Sequence, residues 1–150
     1  SNATGQTLAN WLQLIDETSG VFVPTLSLKT PGTSSFTYSD QTGEFTTLGN
    51  LVFFTIRVAL TNFTIGSGSG VVQIGPLPFI SAASVNVVCP CTMQNITYNG
   101  SVSWYSAIIS PSTDLITLAG QVSTTTQILL NAAGLSNTSI ILVSGTYFTS

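Results

Sequence analysis

Five carboxylates, two thiols and two cations make up the ionic and nucleophilic side chains of this 150-residue sequence, and there is no histidine. Nucleophilic catalysis of the Ser-His-Asp or Cys-His kind needs a base that titrates near neutral pH, so that route is closed. A carboxylate pair could still cleave a glycosidic bond, one as acid and the other as base or nucleophile. The candidates are Asp16, Glu17, Asp40, Glu44 and Asp114. Asp16 and Glu17 adjoin at the expected end of a helix, and Asp40 and Glu44 are expected to flank one turn. Hydrolysis also needs a deep cleft, which a chain of this length must build from loops. These carboxylates therefore read first as solvated turn charges, and the expectation is that the protein is not an enzyme.

Cys89-Pro90-Cys91 is the most unusual local feature. A structural zinc site uses four Cys or His ligands, so two thiols would serve one only if several chains pooled theirs around a symmetry axis. A disulfide between residues two apart would be strained. Free thiols at a strand end are the first reading, with a redox bridge or a shared metal as alternatives; no cofactor is expected. Sequons at Asn62, Asn95, Asn99 and Asn137 arise readily in a chain rich in Ser and Thr and read as polar turn and strand residues.

Lys29 and Arg57 cannot neutralise a run of phosphates, which excludes nucleic acid as a partner. The longest apolar stretch, Leu51 to Leu60, is interrupted by Thr55 and Arg57 and is shorter than the ~20 residues a spanning helix needs, so no membrane insertion is expected. Ser1-Asn2-Ala3 reads as a remnant of tag cleavage. Residues 4–19 form an N-terminal segment in which Leu8, Trp11, Leu12 and Ile15 fall at helical spacing, predicting a short helix over Leu8 to Glu17.

Residues 20–150 read as one domain of strands. They are rich in Val, Ile, Thr, Phe and Tyr, with Gly, Pro and Asn at intervals of roughly 8 to 12 residues. In Asn50 to Thr64 one parity gives Val52, Phe54, Ile56, Val58 and Leu60, a continuous core face. The other gives Leu51, Phe53, Thr55, Arg57 and Ala59, a mixed one. Further strands are expected at Val21 to Leu28, Phe36 to Ser39, Glu44 to Thr47, Val71 to Ile74, Phe79 to Cys89, Thr92 to Tyr98, Val102 to Ile109, Leu115 to Leu118, Gln121 to Leu130 and Ser139 to Phe148. Gly66 to Gly70 reads as a hairpin connection, Asn99-Gly100 as a type I′ turn, and Gly43 and Gly49 as turn residues with positive φ. Pro76 and Pro78 are expected to hold an extended approach that puts Leu77 and Phe79 in the core. The fold class is all-β: an antiparallel β-sandwich, jelly-roll-like, with the short N-terminal helix.

Only 5% of residues are charged, against about 25% in a typical soluble domain, while 43% are hydrophobic and mean hydropathy is +0.47. Outward strand positions that usually carry Lys or Glu carry Thr, Ser, Gln and small apolar residues instead. A neutral hydroxyl is far cheaper to bury than an ion. The pattern predicts a homo-oligomer, with Arg57 as a candidate inter-subunit ion pair whose carboxylate lies in its own chain or across an interface.

The sequence also resembles a module of structural proteins from tailed phages and large DNA viruses. The likeness is carried by Gly20 to Leu26, Phe36 to Ser39, Gln41 to Val52, Gly75 to Phe79 and Ser144 to Tyr147, in that order. Glu44 and Phe45 depart from the module's usual basic residue and tyrosine. The resemblance implies a trimeric β-sandwich in a fibre, tail or capsid-attached protein: a non-enzymatic virion component presenting loops to a capsid or host partner. The alternatives are a carbohydrate-binding module, in which Tyr38, Tyr98, Trp104 or Tyr105 would stack on a host-surface glycan, and a glycan-processing enzyme using the turn carboxylates.

Overall fold

The computed structural model describes residues 17–82, 84–98 and 100–150. Ten strands follow one another: β1 (Glu17–Phe22), β2 (Thr25–Thr30), β3 (Ser35–Leu48), β4 (Leu51–Thr64), β5 (Ser69–Gly75), β6 (Val87–Gln94), β7 (Trp104–Ile109), β8 (Ile116–Gln121), β9 (Gln127–Leu129) and β10 (Ile140–Phe148). One 3-10 turn at Ala132–Gly134 precedes β10. The predicted helix lies outside the described residues except for Glu17, which opens β1 as strand. Among the described residues no helix is long and apolar enough to cross a membrane.

All pairings are antiparallel and run through one continuous sheet in the order β1-β3-β4-β10-β6-β7-β8-β5-β2, with β9 added on β8. The sheet curls like a half-barrel, and β6 carries the change of direction. Its first half pairs β7 up to Pro90↔Ser106, and its second half pairs β10 from Cys91↔Val143. Pro90 has no N–H to donate, so it suits the point where the ladder passes from one neighbour to the other.

The curl follows from one long hairpin that folds over. β3 and β4 pair through thirteen positions around a tight turn at Gly49-Asn50. The same two chain segments, continued as β2 and β5, pair again on the opposite flank. The corner lies at residues 31–34 and 65–68, where Thr33 N–H donates to Ser67 Oγ (3.1 Å) and Ser67 N–H donates to Thr33 Oγ1 (3.0 Å). The expected hairpin at Gly66 to Gly70 is therefore a crossover, since β5 pairs β2 and β8 and not β4. Gly66 takes φ +54 there, and a Cβ on Gly68 would strike Leu28 and the Pro31 carbonyl, which is why glycines occupy this corner.

Both flanks contribute to one core. Val52, Phe54, Ile56, Val58 and Leu60 of β4, the face expected from parity, are buried with Leu26, Leu28, Val72, Ile74, Ile116, Leu118, Ile141 and Val143. Full burial of each such side chain stabilises by about 1.5–3 kcal/mol. Leu77 joins this core, but Phe79 stays 38% exposed, its ring making an edge contact with Phe45.

Several expected boundaries shift for local reasons. β3 is one strand, without the turn expected between Ser39 and Glu44. Gly43 sits mid-strand opposite Phe22, whose ring covers it so closely that a Cβ would lie 2.8 Å from three ring carbons. The reciprocal pair is Gly20 opposite Phe45, with the phenyl again lying over the glycine. These glycines are spaces for rings, not bends. β6 ends at Gln94 because Asn95 takes φ 56 and its carbonyl accepts from Ser136 and Ser139 hydroxyls. The link from β6 to β7 consequently spans residues 95–103, and the turn expected at Asn99-Gly100 involves Asn99, which lies outside the described residues. The expected strand at Phe79 to Cys89 begins only at Val87, and Gln121 to Leu130 is split by a tight turn closed by Val122 N–H donating to the Thr126 carbonyl.

Replacing Gly43 with Val is expected to cost about 1–3 kcal/mol, the usual penalty for overfilling a packed site. Urea unfolding should show the midpoint falling at unchanged slope, and an unchanged midpoint would refute the ring-over-glycine packing.

Candidate functional site

β3 is bulged on both sides of Tyr38, where the register against β4 shifts between Thr37 and Tyr38 and again before Asp40. Bulges re-aim side chains. Here they turn Tyr38 toward β2, where its hydroxyl accepts the Leu26 N–H at 2.8 Å, and Gln41 Nε2 donates to the Pro24 carbonyl at 3.1 Å. Two side chains of β3 thus bond β2 and the residue that precedes it. Burial raises the Tyr38 hydroxyl above its ordinary value, so it stays protonated. In this role Tyr38 ties β3 to β2, with its ring half-buried and packed against the core.

Tyr98 and Tyr105 also face inward. Their rings stack at 5.6 Å, against the partly buried rim of the core, and burial raises Tyr98 strongly. Trp104, one residue before Tyr105, points the opposite way because strand side chains alternate, and it is 58% exposed. Of the four candidate aromatics Trp104 is exposed, whereas Tyr38, Tyr98 and Tyr105 are half-buried. Gln121 and Gln127 lie beside it in register on β8 and β9.

Arg57 finds its carboxylate within the chain. Its guanidinium donates to Asp40, which also accepts from Thr42 Oγ1 at 2.5 Å. The Thr42 hydroxyl first and Arg57 second hold the Asp40 carboxyl below the usual range. Asp40 and Glu44 do not flank a turn; both point outward from β3, where Glu44 lies opposite Thr55 and Thr42 opposite Arg57. Glu17 opens β1, Asp114 sits in the β7–β8 loop, where its main-chain carbonyl accepts the Leu77 N–H at 2.7 Å, and Asp16 lies outside the described residues. Among the described residues no cluster of three or more Cys, Asp or Glu is placed to hold a metal ion.

Cys89 and Cys91 are free thiols on one face of β6, buried and half-buried. Burial raises both, and the neighbouring Cys89 helps push Cys91 up to about 12. Two of the sequon asparagines have structural partners: Asn137 Oδ1 accepts the Phe63 N–H and Asn95 Nδ2 donates to the Thr138 carbonyl, each at 2.9 Å.

Sequence reasoning missed the main concavity. Two shallow adjoining grooves, of about 740 and 240 Å³, run over the outer face of β1, β3, β4, β10 and β6. Phe53, Thr55, Thr46, Glu44, Ser144 and Thr146 line the larger one. The mixed parity of β4 was the available signal, but the strands flanking it could not be placed until the order of pairing was known.

The same fold occurs in part of a known protein. The crystal structure of Dettilon tailspike protein (gp208) matches with a TM-score of 0.70 and 22% identity, over 88% of this chain and 24% of that one. The chain thus spans about a quarter of that protein's length. No protein-family model matches the chain, and no curated protein matches it in sequence.

Two titrations test the site. Because the folded-state value of Asp40 is depressed, its contribution to stability is present above the unfolded value of 3.8 and is lost as pH falls through the folded one. Carboxyl NMR should find Asp40 titrating below 3.8, and Arg57→Met should raise it only partway, since the Thr42 hydroxyl still donates to it; a full return would remove Thr42 as a cause. With Cys91 near 12, the native thiols should react with a disulfide reagent at pH 8 at least tenfold more slowly than after unfolding. Equal rates would refute their shielding.

Proposed function

We propose that this chain is a non-enzymatic structural or host-attachment module of a virus particle, working as a homotrimeric β-sandwich in the virion. The observation that carries the reading is the fold shared with a tailspike protein over 88% of this chain. The core shared by the two flanks of the curled sheet supports treating them as the layers of a sandwich. Outward positions on β3, β4 and β10 occupied by Thr42, Thr46, Thr55, Ser144 and Thr146 support burial against sister chains, since these groups need only a hydrogen bond to be buried at little cost.

Asp40 is unsuited to the acid role in a glycosidase pair, while an ionised carboxylate remains suited to the base or nucleophile. A glycosidase pair needs one carboxyl that is protonated near working pH, and Asp40 is held ionised by Thr42 and Arg57. The carbohydrate-binding reading retains Trp104 as its platform, with Tyr38 committed to the β2 edge and Tyr98 and Tyr105 stacked on each other.

Sedimentation equilibrium at micromolar concentration should return three times the 15.6 kDa chain mass. A single-chain mass at every concentration would remove the assembly on which this reading rests.

A further inference from the structure

The outer face of β1, β3, β4, β10 and the second half of β6 combines exposed apolar side chains with two grooves. Val21 is 80% exposed there, Phe148 61% and Phe53 44%, and Leu48 and Leu142 are exposed on the same side. Both grooves open on it, sharing Thr55 and Ser144. Register places Ser19, Thr46, Phe53 and Thr146 in one row and Val21, Glu44, Thr55 and Ser144 in the next. The row beyond them holds Thr42, Arg57 and Leu142.

We infer that this face is the seat of a second copy of the chain, with Glu44 of one copy meeting Arg57 of another; the inference rests on the assembly reading above and names its surface. Three observations commit the face to that occupant. With strands ~4.8 Å apart and outward positions ~7 Å apart, it measures roughly 20 by 25 Å. Side-chain relief brings that footprint near the ~800 Å² per partner of a standard interface. Its charges are few, Glu17, Asp40, Glu44 and Arg57 on β1, β3 and β4, while β10 and β6 present none, the depletion of charge expected of an interface. Finally, charge selects the partner. Arg57 carries more N–H donors than Asp40 occupies, while Glu44 on the adjacent row has no cation among the described residues. Lys29, the other cation, lies on β2 of the opposite flank, so Arg57 of a sister chain is the cation this face can offer Glu44.

The test is sedimentation equilibrium of the full chain with Phe53→Lys and Thr55→Lys on this face and Val88→Lys in the first half of β6, which pairs β7 of the other flank and where Val88 is also exposed. All three positions point outward, and circular dichroism with thermal melting checks that each variant folds. The expected result is that Phe53→Lys and Thr55→Lys sediment as single chains while wild type and Val88→Lys remain assembled. Glu44→Gln should weaken assembly about tenfold at low salt, with the difference shrinking as salt rises. If the assembly survives both lysines on this face, or only Val88→Lys dissolves it, the inferred surface is wrong and the oligomeric reading stands. An unassembled wild type overturns both. An unaltered dissociation constant in Glu44→Gln removes the Glu44–Arg57 contact.

Discussion

Buried backbone and side-chain polar groups must find partners, and a chain with seven charged residues has to supply those partners mainly from hydroxyls and amides. That constraint explains the roles of its Ser, Thr, Tyr and Gln residues. Ser81 Oγ donates to the Ser110 carbonyl and accepts the Thr113 N–H. Tyr147 Oη spans the Phe79 main chain, accepting from its N–H and donating to its carbonyl. Tyr38 and Gln41 serve β2 in the same manner. Among the described residues no buried side-chain polar atom lacks a partner. Low charge thus coexists with an ordered interior because small neutral groups do the pairing.

The same economy shapes the surface. An isolated sheet normally protects its edges and faces with lysines or inward-pointing charges. Here one edge is protected by covering: β2 is bonded by side chains from β3. The opposite edge strand, β1, pairs β3 through six consecutive positions without a register break and carries one charge, at Glu17. The flank it borders is also the apolar, grooved one. Edge and face therefore lie on one side of the molecule, the side that the proposed assembly would bury.

Much of the strand content was legible because period-two patterning is local. β4 and its buried parity follow directly from Val52, Phe54, Ile56, Val58 and Leu60. What could not be read was which strands pair. Gly43 looks like a turn until Phe22 is known to lie across from it, and Gly66 to Gly70 looks like a hairpin until β2 is known to pair β5. Phe79 looks like core, yet it follows Pro78 onto the rim. The aromatic candidates fared unevenly for the same reason. Alternation predicts that Trp104 and Tyr105 face opposite ways, but only the sheet order says which way is out. Arg57 was identified as an ion-pair residue on chemistry alone, and its Asp40 partner depended on bulges that sequence patterning does not reveal.

The folded-over hairpin also sets an order of events for self-organisation. Pairing around Gly49-Asn50 closes a minimal loop and needs little chain entropy, whereas Leu51 meets Phe148 across about two thirds of the chain. Slow, high-contact-order steps must then be built upon a quickly formed ribbon, and bending that ribbon at Thr33 and Ser67 delivers two strands to each half of the barrel in one motion. A sequence poor in charge has few electrostatic guards against misassociation while it waits, so an early local scaffold shortens its period of vulnerability.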